Sequence, residues 1–141
     1  MYDDGKVTAR REHHDGRARV LVADDDSEFR YFIADCLEAA GYQTVLTSDG
    51  LEALRAFDVE RPRLAVIDLN MPVMSGYRLL RLLRGRKGVV RNEVPVIVIS
   101  GDDLQEAMDL VVDARPEAYL QKPFVVDRFI ERVDALVAMS A

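Results

Sequence analysis

At 141 residues, with 49% hydrophobic and 31% charged side chains, the chain is sized for one domain with a single core and composed like an ordinary globular protein. Its net charge of −6 argues against direct nucleic-acid binding, which demands a basic face. No apolar run approaches the roughly 20 residues of a membrane span. No apolar segment follows Arg10, Arg11, His13 and His14 as in a signal peptide, and the lone Cys36 suits a reducing, cytoplasmic compartment without an internal disulfide.

Residues 1 to about 18 carry both charge signs without apolar periodicity, and read as a mobile tail ahead of a domain spanning 19–141. His13-His14 is a weak metal signal with no third ligand nearby. Arg19-Val20-Leu21-Val22-Ala23 is the first expected strand, and it runs into Asp24-Asp25-Asp26-Ser27. Phe29, Phe32, Ile33, Cys36, Leu37 and Ala40 then recur at helical spacing, with Asp26 or Ser27 as cap and Gly41 as a left-handed stop.

Residues 42–47 form a second, more amphipathic strand, and Asp49-Gly50 reads as a turn. A short helix through Leu51, Ala53, Leu54 and Phe57 is stopped by Arg61-Pro62. Leu64-Ala65-Val66-Ile67-Asp68 is a short apolar run that ends in one carboxylate, followed at once by the loop Met71-Pro72-Val73-Met74-Ser75-Gly76. Such β-branched runs bounded by turns are characteristic of buried parallel strands. Tyr77, Leu79, Leu80, Leu82 and Leu83 lie on the third helix, which fades at Gly85 and Gly88.

Residues 94–99 are the fourth strand, with Pro95 tolerated near its start, and Ser100-Gly101 follow. A fourth helix covers about 103–113, Ala118-Tyr119-Leu120 is a fifth strand ending in Gln121-Lys122-Pro123, and Val126, Phe129, Ile130, Val133 and Leu136 line the last helix. Strand and helix alternate five times, which implies an α/β fold: a doubly wound parallel sheet with helices on both faces.

In open α/β sheets, ligands bind at the carboxyl edge of the strands. If the strands lie in the flavodoxin-like order 2-1-3-4-5, the first and third meet at the topological switch point. Asp24, Asp25 and Asp68 then share one edge, flanked by Ser100 and Lys122. Crowded carboxylates repel and raise one another's pKa, and a divalent cation relieves the strain; oxygen-only ligands favour Mg2+. The acids 24–26 also read as a solvated helix start, where they complement the macrodipole. That reading leaves Asp68 and Lys122 unexplained.

Four pieces carry a family resemblance: Val20-Leu21-Val22-Ala23-Asp24-Asp25-Asp26; Asp68-Leu69-Asn70-Met71-Pro72 with Ser75-Gly76; Ser100-Gly101; and Tyr119-Leu120-Gln121-Lys122-Pro123-Phe124. In this order and spacing, from about Arg19 to Met139, the chain resembles the receiver domain of two-component response regulators, of the single-domain chemotaxis type. The resemblance implies the five-stranded order 2-1-3-4-5 with five helices. It implies Asp68 as phosphoacceptor, and Mg2+ held by Asp24, Asp25, the Asp68 carboxylate and the backbone carbonyl of Asn70.

Lys122 matches the lysine that contacts the phosphoryl group, Ser100 the switch hydroxyl, and Tyr119 the aromatic residue that follows it. Gly101 stands where the family more often has alanine. The implied phosphodonor is a sensor histidine kinase or histidine phosphotransfer protein. The implied output is a downstream protein target or a homodimer, reached through the face of the fourth helix, fifth strand and fifth helix.

Three other readings stay open. A degenerate receiver would bind partners without taking phosphate, although the full set Asp24, Asp25, Asp68, Ser100 and Lys122 speaks against it. Aspartate-nucleophile phosphatases of the haloacid dehalogenase type carry a second Asp two residues on, where this chain has Asn70. A flavodoxin-like flavin or cobalamin module needs a phosphate-cradling loop after the first strand, where three acids stand instead. Without an output segment in the sequence, a regulator that acts alone by docking and a domain of a larger protein are equally open.

Overall fold

The computed structural model describes residues 16–85 and 93–139. His13, His14 and most of the expected tail lie outside these residues, as does Gly88. The elements run β1 (Arg19–Ala23), α1 (Ser27–Ala39), β2 (Gln43–Thr47), α2 (Gly50–Glu60), β3 (Leu64–Asp68), α3 (Gly76–Gly85), β4 (Val96–Ser100), α4 (Leu104–Val111), β5 (Ala118–Gln121) and α5 (Val126–Met139). All strands are parallel, and their order is β2-β1-β3-β4-β5. This is the expected five-stranded flavodoxin-like sheet with five helices.

Period-two alternation sends each strand's side chains into two separate cores. Leu21, Ala23, Ala65, Ile67, Val96 and Val98 pack with Ala53, Phe57, Leu79, Leu80 and Val111 from α2, α3 and α4. Val20, Val22, Leu64, Val66, Ile97 and Ile99 pack with Ile33, Leu37, Phe129 and Val133 from α1 and α5. Burial on both faces favours apolar side chains, and so the central strands β1, β3 and β4 read as near-continuous hydrophobic runs.

Five local expectations change. β2 is not amphipathic, since all five residues are buried. Its polar side chains find partners instead: Thr44 Oγ1 donates to Glu38 Oε2 at 2.8 Å and Thr47 Oγ1 to the Val22 carbonyl at 3.1 Å. Gly50 is the first residue of α2 rather than a turn residue. Asp49 caps that helix by accepting from the Glu52 amide at 2.8 Å, and Glu52 in turn accepts from the Ser48 amide at 2.9 Å.

β4 begins at Val96 rather than 94, because Pro95 has no N–H to give the ladder and contributes only its carbonyl, to the Ala65 amide. α4 ends at Val111, and residues 112–114 tighten into a single 3-10 turn. Phe32 and Leu82, expected on apolar faces, are exposed. Asp26 does cap α1, and Gly41 follows it at φ 101 in the left-handed region.

Candidate functional site

Register places the acids side by side. Ala23 pairs with Ile67 across β1 and β3, so Asp24 and Asp68 follow at one level. Asp68 pairs with Ile99 and Ser100 with Gln121, which brings Ser100 and Lys122 to the same edge from β4 and β5. One carboxylate oxygen from each of Asp24, Asp25 and Asp68 lies within 4.8 Å of the others. Asp24 is fully buried, Asp68 is 5% exposed, and Asp25 is open to solvent.

Lys122 reaches back into this cluster. Its Nζ donates to Asp24 Oδ2 at 2.8 Å and to Asp68 Oδ2 at 3.2 Å. The lysine therefore leans more on Asp24 than on Asp68. Asp24 Oδ1 accepts from the Asp26 amide at 3.0 Å, and Asp68 Oδ1 from the Asn70 amide at 3.1 Å. Each buried carboxylate thus has one backbone donor and shares one cation, as buried charge requires.

Burial, and then the neighbouring Asp24 charge, push the Asp68 carboxyl up to about 6; the Asn70 amide and Lys122 pull the other way. Burial works against the Lys122 ammonium, but the hydrogen bonds and charges of Asp24 and Asp68 outweigh it and hold its pKa above the ordinary lysine value. Three carboxylates cluster here and two of them share the Lys122 ammonium, so the pocket of oxygen donors is under-supplied with positive charge. That donor set fits a hard divalent cation such as Mg2+.

Ser100 is buried, with Oγ accepting from the Asp102 amide at 3.0 Å. Tyr119 is half-buried and rests against the core on the α2–α4 side, with its phenol pKa raised by burial. The Asn70 side chain donates to Asp102 Oδ2 at 3.0 Å, tying the loop after β3 to the loop after β4. The Lys122–Pro123 peptide bond is cis.

Sequence reasoning passed over several supporting residues. Arg30 is buried, and its guanidinium donates to the Asp24 carbonyl at 2.7 Å, clamping the end of β1 to α1. The ring of Phe29 lies under the Lys122 ammonium, 4.2 Å from Nζ to centroid. Gly50 and Gly76 are places of close approach. A Cβ on Gly50 would sit 2.2 Å from the Met74 carbonyl oxygen, and one on Gly76 would sit 1.9 Å from that of Asp68. Their position in the sequence was visible, but the chain they touch was not.

Comparison with known proteins agrees with this architecture. The family model of the response regulator receiver domain matches residues 20–134. The chain is 37% identical over 119 residues to the transcriptional regulatory protein PrrA of Mycobacterium bovis, covering 84% of this chain and 49% of that protein. It is 34% identical to the response regulator MprA of Mycobacterium tuberculosis, over 84% of this chain and 50% of that one. The chain thus spans about half the length of the curated relatives it matches. Among solved structures, the receiver domain of the Francisella response regulator 1452 superposes with a TM-score of 0.81 at 34% identity, covering 89% of this chain and all of that one. With a family match over most of the described sheet and the five-stranded order already established, the chain belongs to the response regulator receiver domain family.

Proposed function

We propose that this receiver takes a phosphoryl group onto Asp68 from a phosphohistidine donor and passes the event to a partner through a changed surface. The observation that carries this reading is the cluster of Asp24, Asp25 and Asp68 with Lys122 bridging two of them. In this scheme an Asp68 oxygen bonds to phosphorus as the donor's P–N bond breaks, and the imidazole leaves with its electron pair. The product is an acyl phosphate. Water later attacks the phosphorus, releasing inorganic phosphate and the free Asp68 carboxylate, with the water's proton passing to solvent.

Asp24, Asp25, the Asp68 carboxylate and the Asn70 carbonyl would hold Mg2+, which when bound neutralises charge on the phosphoryl oxygens. Lys122 already sits 3.2 Å from Asp68 and contributes a fixed positive charge there. The Asn70 amide holds the carboxylate's other oxygen, so the nucleophile is oriented before the donor arrives. Little else is needed, since positioning and charge supply most of the catalysis in phosphoryl transfer.

The functional unit is residues 19–141, with residues 1 to about 18 dispensable. The donor is a sensor histidine kinase or a histidine phosphotransfer protein, in the cytoplasm. The domain acts on itself and has no separate substrate. A phosphatase reading lacks its general acid, since Asn70 holds that position and its amide is committed to Asp102.

Incubation with acetyl phosphate and Mg2+, followed by intact mass, tests the proposal. One added phosphoryl group, lost in Asp68→Asn, is expected. No adduct on the wild-type chain would leave the degenerate receiver as the answer, and unchanged labelling of Asp68→Asn would overturn the site.

A further inference from the structure

Lysine carries a compact charge on a flexible four-carbon stem with large rotamer freedom. Two carboxylates alone leave that stem free to lean either way. Here a third contact limits it, because Lys122 Nζ lies 4.2 Å from the centroid of Phe29. The Phe29 ring is itself held. The backbone amide of Phe29 donates to the capping carboxylate of Asp26 at 3.3 Å, which fixes the first turn of α1. Phe124, two residues beyond Lys122, meets the ring edge-on at 5.8 Å, and Phe124 in turn packs 5.3 Å from Phe129, a fully buried core residue. An aromatic chain therefore runs from the α5 core to the ammonium, and the loop that bears Lys122 grips the same ring twice.

We infer that Phe29 is a positioning residue for phosphoryl capture. Its ring face holds the Lys122 ammonium over Asp24 and Asp68, in the place the incoming phosphoryl oxygens need. The bland alternative is a ring that merely fills space between α1 and the β5–α5 loop. The two differ in what an aliphatic side chain of similar volume can replace. A filler is replaceable by leucine or methionine; a cation–π platform is replaceable only by another aromatic ring. The inference rests on the proposed phosphoacceptor role of Asp68.

The chain has only three lysines, Lys6, Lys87 and Lys122, so selective 13C labelling of lysine gives a readable spectrum. Lys122→Gln identifies the third signal by its loss. In the metal-free wild type the Lys122 ε-methylene should appear upfield, shifted by the ring current. Phe29→Leu and Phe29→Met should return it to the ordinary lysine position, and Phe29→Tyr should keep it upfield. With melting temperatures matched, the rate of Asp68 labelling by acetyl phosphate should fall on the order of tenfold in the aliphatic variants, within the reach of a partly buried cation–π contact. Phe29→Tyr should restore it.

An unshifted Lys122 signal in the wild type would overturn the contact. A shift lost in Phe29→Leu with labelling unchanged would overturn the positioning role while leaving Asp68 as phosphoacceptor. If Phe29→Leu fails to fold, Phe29→Met against Phe29→Tyr gives the same comparison. Absence of labelling in the wild type would instead overturn the phosphoacceptor reading itself, and the inference with it.

Discussion

A methyl group on Gly76 would come within 1.9 Å of the Asp68 carbonyl oxygen and 2.8 Å of Ile67 Cγ2. The first turn of α3 thus packs directly on the backbone that presents the candidate phosphoacceptor. The Gly76 amide also donates to the Leu69 carbonyl at 3.0 Å, closing the loop 69–75 on itself. Because the obstacle is backbone, no rotamer change can admit the extra carbon. Gly76→Ala should therefore cost about 1–3 kcal/mol, as overpacking does, and shift Asp68 relative to Lys122. Urea unfolding would measure the first effect and the acetyl phosphate labelling rate the second. A variant with unchanged unfolding midpoint and labelling would mean that the loop relaxes freely.

The same residue shows what could be read in advance. β1, β3 and β4 were legible because double-sided burial leaves an apolar run, and Asp24, Asp68 and Ser100 stand out as the polar residues that end those runs, with Lys122 just past the end of β5. Close approach is different. Gly50 looks like a turn glycine until Met74, 24 positions later, is folded against it. Thr44 and Thr47 look half-exposed until Glu38 and the Val22 carbonyl receive their hydroxyls. Phe29 looks like one more apolar residue of α1, and only the return of the chain at Lys122 gives it a charge to hold. Each missed feature depends on a contact between distant segments, which periodicity does not encode.

The buried Asp68 carboxyl makes stability depend on pH. Its folded value, pushed up to about 6 by burial and then by Asp24, lies above the usual aspartate value near 3.8. Between these values the folded state holds the proton more tightly than the unfolded chain. Raising the pH through that window therefore costs stability, and the cost is complete above pH 6. In metal-free buffer, Asp68→Asn should remove this step and stabilise the domain at pH 7 by on the order of 1–3 kcal/mol. Thermal melts from pH 4 to 8 would check it. Parallel stability curves for the two proteins would contradict the assignment.

Val73 sits at φ 66 in the loop between β3 and α3, with its side chain 79% exposed. A β-branched residue pays about 1–2 kcal/mol for the left-handed region and gains little from an exposed side chain. Asparagine tolerates that conformation. Val73→Asn should raise stability by about 0.5–1.5 kcal/mol without altering phosphate uptake, as a urea midpoint and a labelling rate would show. A destabilised Val73→Asn would mean that the valine makes a contact worth more than its strain.

The last prediction concerns how phosphate on Asp68 reaches the surface. Asp68 is almost fully buried, so a partner must read something coupled to it. Ser100 follows Ile99, the register partner of Asp68, and its hydroxyl presently accepts from the Asp102 amide at 3.0 Å. A phosphoryl oxygen nearby would accept from the Ser100 hydroxyl, and a hydrogen bond to an ion is about twice as strong as a neutral one. Turning the hydroxyl toward it would give up the Asp102 contact, loosen the start of α4 and open space beside β4. Tyr119 pairs with Val98 on the neighbouring strand and is half-buried against the same core, so its ring is placed to move inward. Phosphorylation would then remodel the face of α4, β5 and α5, the surface on which a target or a second copy would dock in this scheme. Ser100→Ala should still take phosphate on Asp68 but should uncouple it from that face. Amide exchange with and without beryllofluoride is the measurement, with altered protection across residues 103–124 expected in the wild type and none in Ser100→Ala. Identical protection in both wild-type states would refute the switch, and an unchanged response in Ser100→Ala would refute the role of its hydroxyl.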